Sequence, residues 1–137
     1  MTQTLAQMAV AVLSTADGRA KTALAHEHAG AWRASRDGSG PEIAIGTATP
    51  PLRPARPEKP DIIARFTEIG FPPGFYDDWV QAGDEEAKHF NLLCDCLERL
   101  GSHYGALPAH AGMWRAAEDT VEDIFGRLAV VPMVLEA

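Results

Sequence analysis

The sequence predicts an all-α fold, and three observations support this class. Apolar residues recur at helical spacing over long stretches, most clearly between Phe75 and Leu100. The alternation of apolar and polar residues that is typical of a strand occurs only over the short segment Glu42–Thr47. Six of the ten prolines, which disfavour helix, fall between Pro41 and Pro60. The chain outside that segment is therefore free to form helices.

The N-terminal 36 residues predict a helical hairpin. Helix-forming residues fill Thr4–Leu13 and again Gly18–Ser35, and Thr15–Asp17 between them can form a turn or cap. Residues 37–60 have a different composition, with prolines interleaved with glycines. Because proline lacks a backbone donor and disfavours helix in the residue before it, we interpret residues 37–60 as an extended, proline-rich linker.

The remaining residues, 61–137, predict a second helical region. Its longest helix, Phe75–Leu100, would measure about 39 Å. Pro132 falls inside the last predicted helix, so we expect it to kink or interrupt the final turns. The predicted order is a short helix (Asp61–Ile69), a break (Gly70–Gly74), the long helix, a loop (Gly101–Gly112) and the last helix (Met113–Glu136).

Composition and charge exclude several classes of protein. The 137 residues carry 12 basic and 19 acidic side chains, a net charge of −7, which argues against general nucleic-acid binding. No apolar run approaches the roughly 20 residues of a membrane span. Residues 1–13 hold no Lys or Arg ahead of their apolar part, so no secretion signal is evident. We therefore expect a cytoplasmic protein with no membrane association.

One carboxylate stands in an unexpected place on the long helix. Glu86 lies near the centre of an apolar stripe, and His89 lies at the edge of that stripe, three residues further on. The rest of the stripe is apolar or small: Phe75, Trp79, Ala82, Gly83, Phe90, Leu93, Cys94, Leu97 and Leu100. The opposite face, expected to be solvent-exposed, holds Asp77, Gln81, Asp84, Lys88, Asn91, Asp95 and Arg99.

A carboxylate buried in such a stripe needs compensation, because an unpaired buried charge is costly. The carboxyl group of Glu86 could be protonated, or it could pair with an Arg or Lys from another helix. Glu86 and His89 could instead bind a metal together, as Glu-x-x-His pairs do in carboxylate-bridged bundles. Glu86 could also lie at an exposed end of the stripe. The residue pattern leaves these four interpretations open.

The other metal-binding residue types give weaker signals. Cys94 and Cys96 do not share a helix face, so we expect a buried Cys94, an exposed Cys96 and no zinc site. His103 and His110 fall in a loop, where capping or packing is the expected role. His26 and His28 point to nearly opposite sides of their helix, which argues against a two-histidine site.

Several motifs resemble one bacterial family, the ferritin-like proteins catalogued as domain of unknown function 455. The resemblance covers most of the chain and is most specific from Phe71 to Ala137. Its motifs are Phe75-Tyr76-Asp77-Asp78-Trp79, Asp84-Glu85-Glu86-Ala87-Lys88-His89-Phe90, Leu100-Gly101, Tyr104-Gly105, Pro108-Ala109-His110 and Val131-Pro132-Met133-Val134-Leu135-Glu136-Ala137.

This resemblance implies a four-helix carboxylate bundle that binds two metal ions, iron or manganese, with oxidoreductase-type ancestry. Residue by residue, Glu86 and His89 match the Glu-x-x-His pair of the second bundle helix. Glu136 matches the single glutamate of the third. The implied metal ligands in this sequence are therefore Glu86, His89 and Glu136.

The sequence departs from the family pattern in two places. Pro60 runs directly into Asp61, where the family has its first bundle helix, and the C-terminal bundle helix is missing. We therefore expect a partial ferritin-like bundle that retains about half of the ligands of a dinuclear site. Two copies would hold a complete set, which suggests a homodimer that rebuilds a four-helix site. The alternative is a helical structural or interaction module without metal or catalysis.

Overall fold

The computed structural model describes residues 2–50 and 58–135, and the regular structure within these ranges is helical. The predicted all-α class is therefore confirmed for this part of the chain. None of the helices described is long and apolar enough to cross a membrane. The helices are α1 (Leu5–Ser14), α2 (Gly18–Asp37), α3 (Glu58–Arg65), α4 (Pro73–Arg99), α5 (Gly112–Asp119) and α6 (Ile124–Val130).

The predicted N-terminal helices are present as α1 and α2, and side-chain caps begin both. The Thr4 hydroxyl accepts a hydrogen bond from the Gln7 amide, and the Gln7 side chain accepts one from the Thr4 amide. Asp17 accepts a hydrogen bond from an amide in the first turn of α2. α2 runs slightly past its predicted end and stops at Gly38, where a φ of 79° suits glycine.

The chain that follows α2 is extended and returns alongside the start of α1. The amides of Leu5 and Ala6 donate to the carbonyl oxygens of Ala44 and Ile45, at 2.9 and 3.0 Å. These amides lie in the first turn of α1, where an α-helix offers no internal acceptor. The extended segment thus completes the hydrogen bonding of α1.

The helix α3 lies at the centre of the fold and packs against both α1 and α4. It begins at Glu58, three residues before the predicted start at Asp61. Part of the predicted linker, 37–60, lies outside the described residues, namely Pro51–Pro57. The main core combines residues from α1 to α4 and the extended segment, namely Leu5, Met8, Ala9, Leu13, Ala29, Trp32, Ile43, Ile63, Ala64, Tyr76 and Val80.

The prediction of one helix from Met113 to Glu136 is wrong. The structure has two short helices there, α5 and α6, followed by a π-helical turn, Val131–Leu135. The Thr120 hydroxyl donates to the Ala116 carbonyl at 2.7 Å as α5 ends, and Asp123 accepts from the Gly126 amide to begin α6. The interruption expected at Pro132 is confirmed, because α6 ends at Val130 and Pro132 lies in the π-helical turn that follows.

A fully buried arginine on α6, Arg127, explains the break between α5 and α6. The guanidinium of Arg127 donates to the Thr120 hydroxyl at 2.8 Å and to the Ala117 carbonyl at 2.6 Å, both at the end of α5. It also donates to Asp61 on α3 at 2.8 Å, and the Asp61 carboxylate is fully buried as well. Arg65 approaches the other oxygen of Asp61 at 2.8 Å. One ion pair therefore fixes both C-terminal helices to α3.

We expect Asp61→Asn to lower the free energy of unfolding by about 3–5 kcal/mol, because it leaves the Arg127 charge buried without its counter-ion. Urea denaturation followed by circular dichroism measures the change. Asp61→Leu combined with Arg127→Met should recover most of the loss, since apolar groups of similar volume replace the pair. Glu27→Ala, at an exposed position on α2, is the control and should stay close to wild type. A double variant no more stable than Asp61→Asn would contradict this account.

Candidate functional site

The predicted ligands Glu86 and His89 lie in the middle of α4, a long helix with well-defined ends. Proline occupies the first helical position, where its missing amide costs nothing. At the other end Gly101 has a φ of 75°, and the Ser102 amide donates to the Leu97 carbonyl, as in a Schellman motif. The helix therefore holds both side chains on a rigid element.

Glu86 and His89 lie side by side on the surface of this helix. The Glu86 Oε1 and His89 Nδ1 atoms are 3.6 Å apart, and the side chains are 44% and 63% exposed. The expectation of a carboxylate buried in an apolar stripe is therefore wrong. Glu86 is exposed, as in the fourth interpretation, but it lies in the middle of α4 and not at an end of the stripe. Because both groups reach solvent beside each other, they remain available to a ligand.

The stripe is turned away from the core over part of its length, although Phe75 and Trp79 near its start pack against the core. Leu93 is 66% and Leu100 is 76% exposed, although both belong to the predicted apolar face. Two members of that face, Gly83 and Cys94, are buried. The other residues that α4 buries are Tyr76, Val80, Asp84 and Ala87. The buried side of α4 is thus rotated toward the face that was expected to meet solvent.

The reason for this rotation is a polar interface between α2 and α4. Asp84 is fully buried and receives contacts from His26 Nδ1 at 2.7 Å, Arg33 at 2.9 Å and Lys88 at 3.3 Å. Asp77 accepts hydrogen bonds from the Trp32 indole at 2.8 Å and from Arg36 at 2.9 Å. Arg19 of α2 meets Asp95 of α4 at 2.6 Å. The acidic face of α4 therefore docks on basic residues of α2.

The buried carboxylates Asp84 and Asp61 are the polar centres that sequence reasoning missed. A signal for Asp84 exists in the sequence: Arg19, His26 and Arg33 recur every seven residues and so share one face of α2. No comparable spacing points to the contact between Asp61 and Arg127, which are distant in the chain.

The third predicted ligand, Glu136, lies outside the described residues. Within residues 2–50 and 58–135, no three or more His, Cys, Asp and Glu side chains come together in a way that could hold a metal ion. Glu86 and His89 are the right donor types for iron or manganese, but they are fewer than such a site needs. In the described part of one chain, these two side chains do not by themselves make a metal site.

The remaining candidates behave largely as expected. Cys94 is buried and Cys96 is exposed. His110 Nδ1 accepts a hydrogen bond from the Gly112 amide at 3.1 Å, at the start of α5, which is a local capping contact. His26 contacts Asp84, whereas the buried Nδ1 atom of His28 has no hydrogen-bond partner. These contacts assign His26 and His110 to structure.

The family model described as protein of unknown function (DUF455) matches residues 59–137. The chain belongs to this family. The match begins within α3 and includes Glu86, His89 and both members of the Asp61–Arg127 pair. The family description assigns no function.

An uncharacterized protein of Haemophilus influenzae is similar to this chain, with 46% identity over 70 residues. These residues make up 51% of this chain and 24% of that protein, so the chain spans about a quarter of its relative's length. No solved structure matches the chain.

Acid should weaken the α2–α4 interface through Asp84. Burial alone would raise the pKa of Asp84, but hydrogen bonds from His26, Arg33 and Lys88 outweigh burial and lower that pKa below its usual value. The ionised carboxylate therefore stabilises the fold above about pH 3.9, the ordinary value in an unfolded chain, and this contribution is lost as pH falls further.

We expect Asp84→Asn to be less stable than wild type at pH 7 by roughly 1–3 kcal/mol, with the gap closing as the pH falls below about 4. Urea denaturation of both proteins across this range measures the gap. A gap that stays constant down to pH 2.5, about 1.4 units below the ordinary value, would show that the charge of Asp84 does not stabilise the interface.

Proposed function

We propose that this chain is a partial ferritin-like bundle protein that binds iron or manganese through Glu86 and His89, with Glu136 as a further carboxylate ligand. The observation that carries the proposal is the adjacency of Glu86 Oε1 and His89 Nδ1, 3.6 Å apart on the exposed side of α4. Carboxylate-bridged metal bundles use such Glu-x-x-His pairs. The all-helical fold is compatible with that architecture.

A second copy of the chain would supply the missing ligands. A dinuclear site of this class uses two single glutamates and two Glu-x-x-His pairs. Two copies contain that set, if Glu136 serves as the single glutamate of each. When bound, iron or manganese would supply the capacity to activate oxygen or peroxide, in keeping with an oxidoreductase-type ancestry. The residues of this chain would hold the ions, and the net charge of −7 favours cations over nucleic acid.

Elemental mass spectrometry of freshly purified protein tests the proposal. We expect about one iron or manganese ion per chain, because two chains would share a dinuclear site. The variant Glu86→Ala, His89→Ala should lose this metal, since both donors are removed. The matched control Glu122→Ala, His103→Ala removes one exposed glutamate and one exposed histidine elsewhere and should keep the metal. Metal far below one per chain, or equal in both variants, would refute the proposal.

A second candidate function is a helical interaction module that binds no metal. The exposed leucines of α4 and the following loop favour it, because large apolar side chains left in solvent are candidates for contact with a partner. They are Leu92, Leu93, Leu100 and Leu107, all more than half exposed.

Glu86→Leu separates the two candidates. If the chain is an interaction module, the variant should keep or gain thermal stability and self-association, because leucine replaces a carboxylate beside apolar residues. If the chain binds metal, the variant should lose the bound metal and any rise of Tm on metal addition. Differential scanning calorimetry with and without added Mn²⁺ distinguishes these results. A metal-dependent rise of Tm that survives Glu86→Leu would count against the proposed site.

A further inference from the structure

The imidazole ring of His26 uses one nitrogen in the interface between α2 and α4 and leaves the other free. Its Nδ1 atom lies 2.7 Å from the Oδ1 atom of Asp84, whose side chain is fully buried. The His26 side chain is 64% exposed, so the side of the ring that carries Nε2 faces solvent. Among residues 2–50 and 58–135, Nε2 has no hydrogen-bond partner. This nitrogen is therefore accessible to a reactant.

The contact with Asp84 determines which nitrogen of the ring is the nucleophile. Burial opposes the ionisation of Asp84, but three hydrogen bonds, the first from His26, outweigh burial and lower the pKa of this carboxyl group. An ionised carboxylate only accepts hydrogen bonds, so Nδ1 carries the ring proton and donates it. In the neutral ring the lone pair then lies on the exposed Nε2. A carboxylate in this position also fixes the orientation of an imidazole and raises its basicity.

The charges around His26 favour an incoming group that is negatively charged. Arg33 Nη2 and Lys88 Nζ contact the second oxygen of Asp84, at 2.9 and 3.3 Å. Because all three side chains contact one carboxylate, two cations lie beside the imidazole and share that carboxylate as a counter-ion. Both cations are about half exposed, and each has further N–H donors. These donors are available to the oxygens of an anion.

The surface of α2 also leaves space next to His26. Gly30 lies one turn after His26 on the same face of the helix, and a Cβ atom added at Gly30 would meet nothing within 4 Å. Arg33 follows close to one turn after Gly30 and borders the other side of this space. The position between the imidazole and the guanidinium is therefore open.

We propose that His26 is a phosphoacceptor whose Nε2 atom takes a phosphoryl group from a donor that carries the group on nitrogen. The lone pair of Nε2 forms the new N–P bond while the P–N bond of the donor breaks. The protonated amine of the donor leaves as a neutral amine with the electron pair of that bond. The proton on Nδ1 stays in place, and the ring becomes positively charged.

The surrounding side chains suit this step more than a transfer of another group. The ionised Asp84 stabilises the positive charge that forms on the ring. Arg33 and Lys88 bind the oxygens of the phosphoryl group, as these residue types do in other phosphate sites. An acyl or alkyl group on Nε2 would bring no negative charge for the two cations to bind. The cations therefore select the phosphoryl group.

Phosphoramidate, the simplest donor with a P–N bond, tests the proposal. We expect mass spectrometry at alkaline pH, where phosphohistidine is stable, to find one phosphoryl group per chain, on His26. The rate should exceed that of the exposed His89 and His103 by roughly tenfold or more, because neither has a buried carboxylate on its ring. His26→Ala should lose the modification, and the matched control His103→Ala should keep it. Equal rates at the three histidines would overturn the proposal.

Unfolding gives a second test of the same site. Urea separates Asp84, Arg33 and Lys88 from His26, so we expect the three histidines to react at similar rates in urea. A preference for His26 that survives unfolding would show that the folded arrangement does not activate this ring, and it would overturn the proposal. Circular dichroism of each variant establishes that the chain is folded where native rates are compared.

The role of the cations is tested by Lys88→Gln, which removes a half-exposed positive charge. We expect it to slow phosphorylation of His26 roughly threefold, and the matched control Arg99→Gln, elsewhere on α4, to leave the rate unchanged. Acylation of His26 by diethyl pyrocarbonate, a neutral reagent, should not be slowed, because no anion is bound. An unchanged phosphorylation rate, or an equal loss with both reagents, would overturn the selection of a phosphoryl group.

These experiments run with EDTA present and do not depend on the metal proposal, since His26 is not among the proposed metal ligands. Phosphorylation of His26 without stoichiometric metal would support the phosphoacceptor and refute metal binding. Stoichiometric metal without phosphorylation would have the opposite meaning. The two proposals can therefore fail separately.

Discussion

The buried ion pair between Asp61 and Arg127 is the interaction on which the arrangement of the C-terminal half depends. Burying two charges is favourable only when their geometry and remaining hydrogen bonds are satisfied. Here the other guanidinium hydrogen bonds go to Thr120 and Ala117, at the end of α5. The same side chain that neutralises Asp61 therefore ends one helix, orients the next and attaches both to α3. If either Asp61 or Arg127 were removed, α5 and α6 would lose this attachment to α3. Isolated helices of seven or eight residues are unstable in water.

A second constraint follows from how α4 divides its surface. One side supplies apolar residues to the core, a second binds the basic residues of α2, and a third keeps apolar residues in contact with solvent. The orientation of α4 is set by the first two sides, because Asp84 must remain beside Arg33 of α2 to be buried as a charge. Exposure of Glu86, His89 and the leucines around them is the consequence. The proposed metal site uses the side that this constraint leaves open.

The chain belongs to the DUF455 family, and it spans about a quarter of the length of a similar protein of Haemophilus influenzae. The family match contains the Glu-x-x-His pair and both members of the Asp61–Arg127 ion pair. The functions proposed for this part of the chain therefore concern the Glu86–His89 pair and the exposed leucines of α4.

The sequence by itself determined where the helices lie, because the signals are local. Thr4 and Asp17 begin helices through their own side chains, Gly38 and Gly101 end helices through backbone conformations that glycine adopts easily, and the placement of Glu86 beside His89 follows from helical spacing. Only the tertiary structure decided which side of α4 is buried and where the last predicted helix breaks. Apolar periodicity favoured the Leu93 side, but the charges that bury Asp84 come mainly from α2, and the partner of Arg127 comes from α3. Such pairings depend on residues far apart in the chain, and a helical wheel drawn for one segment contains no information about them.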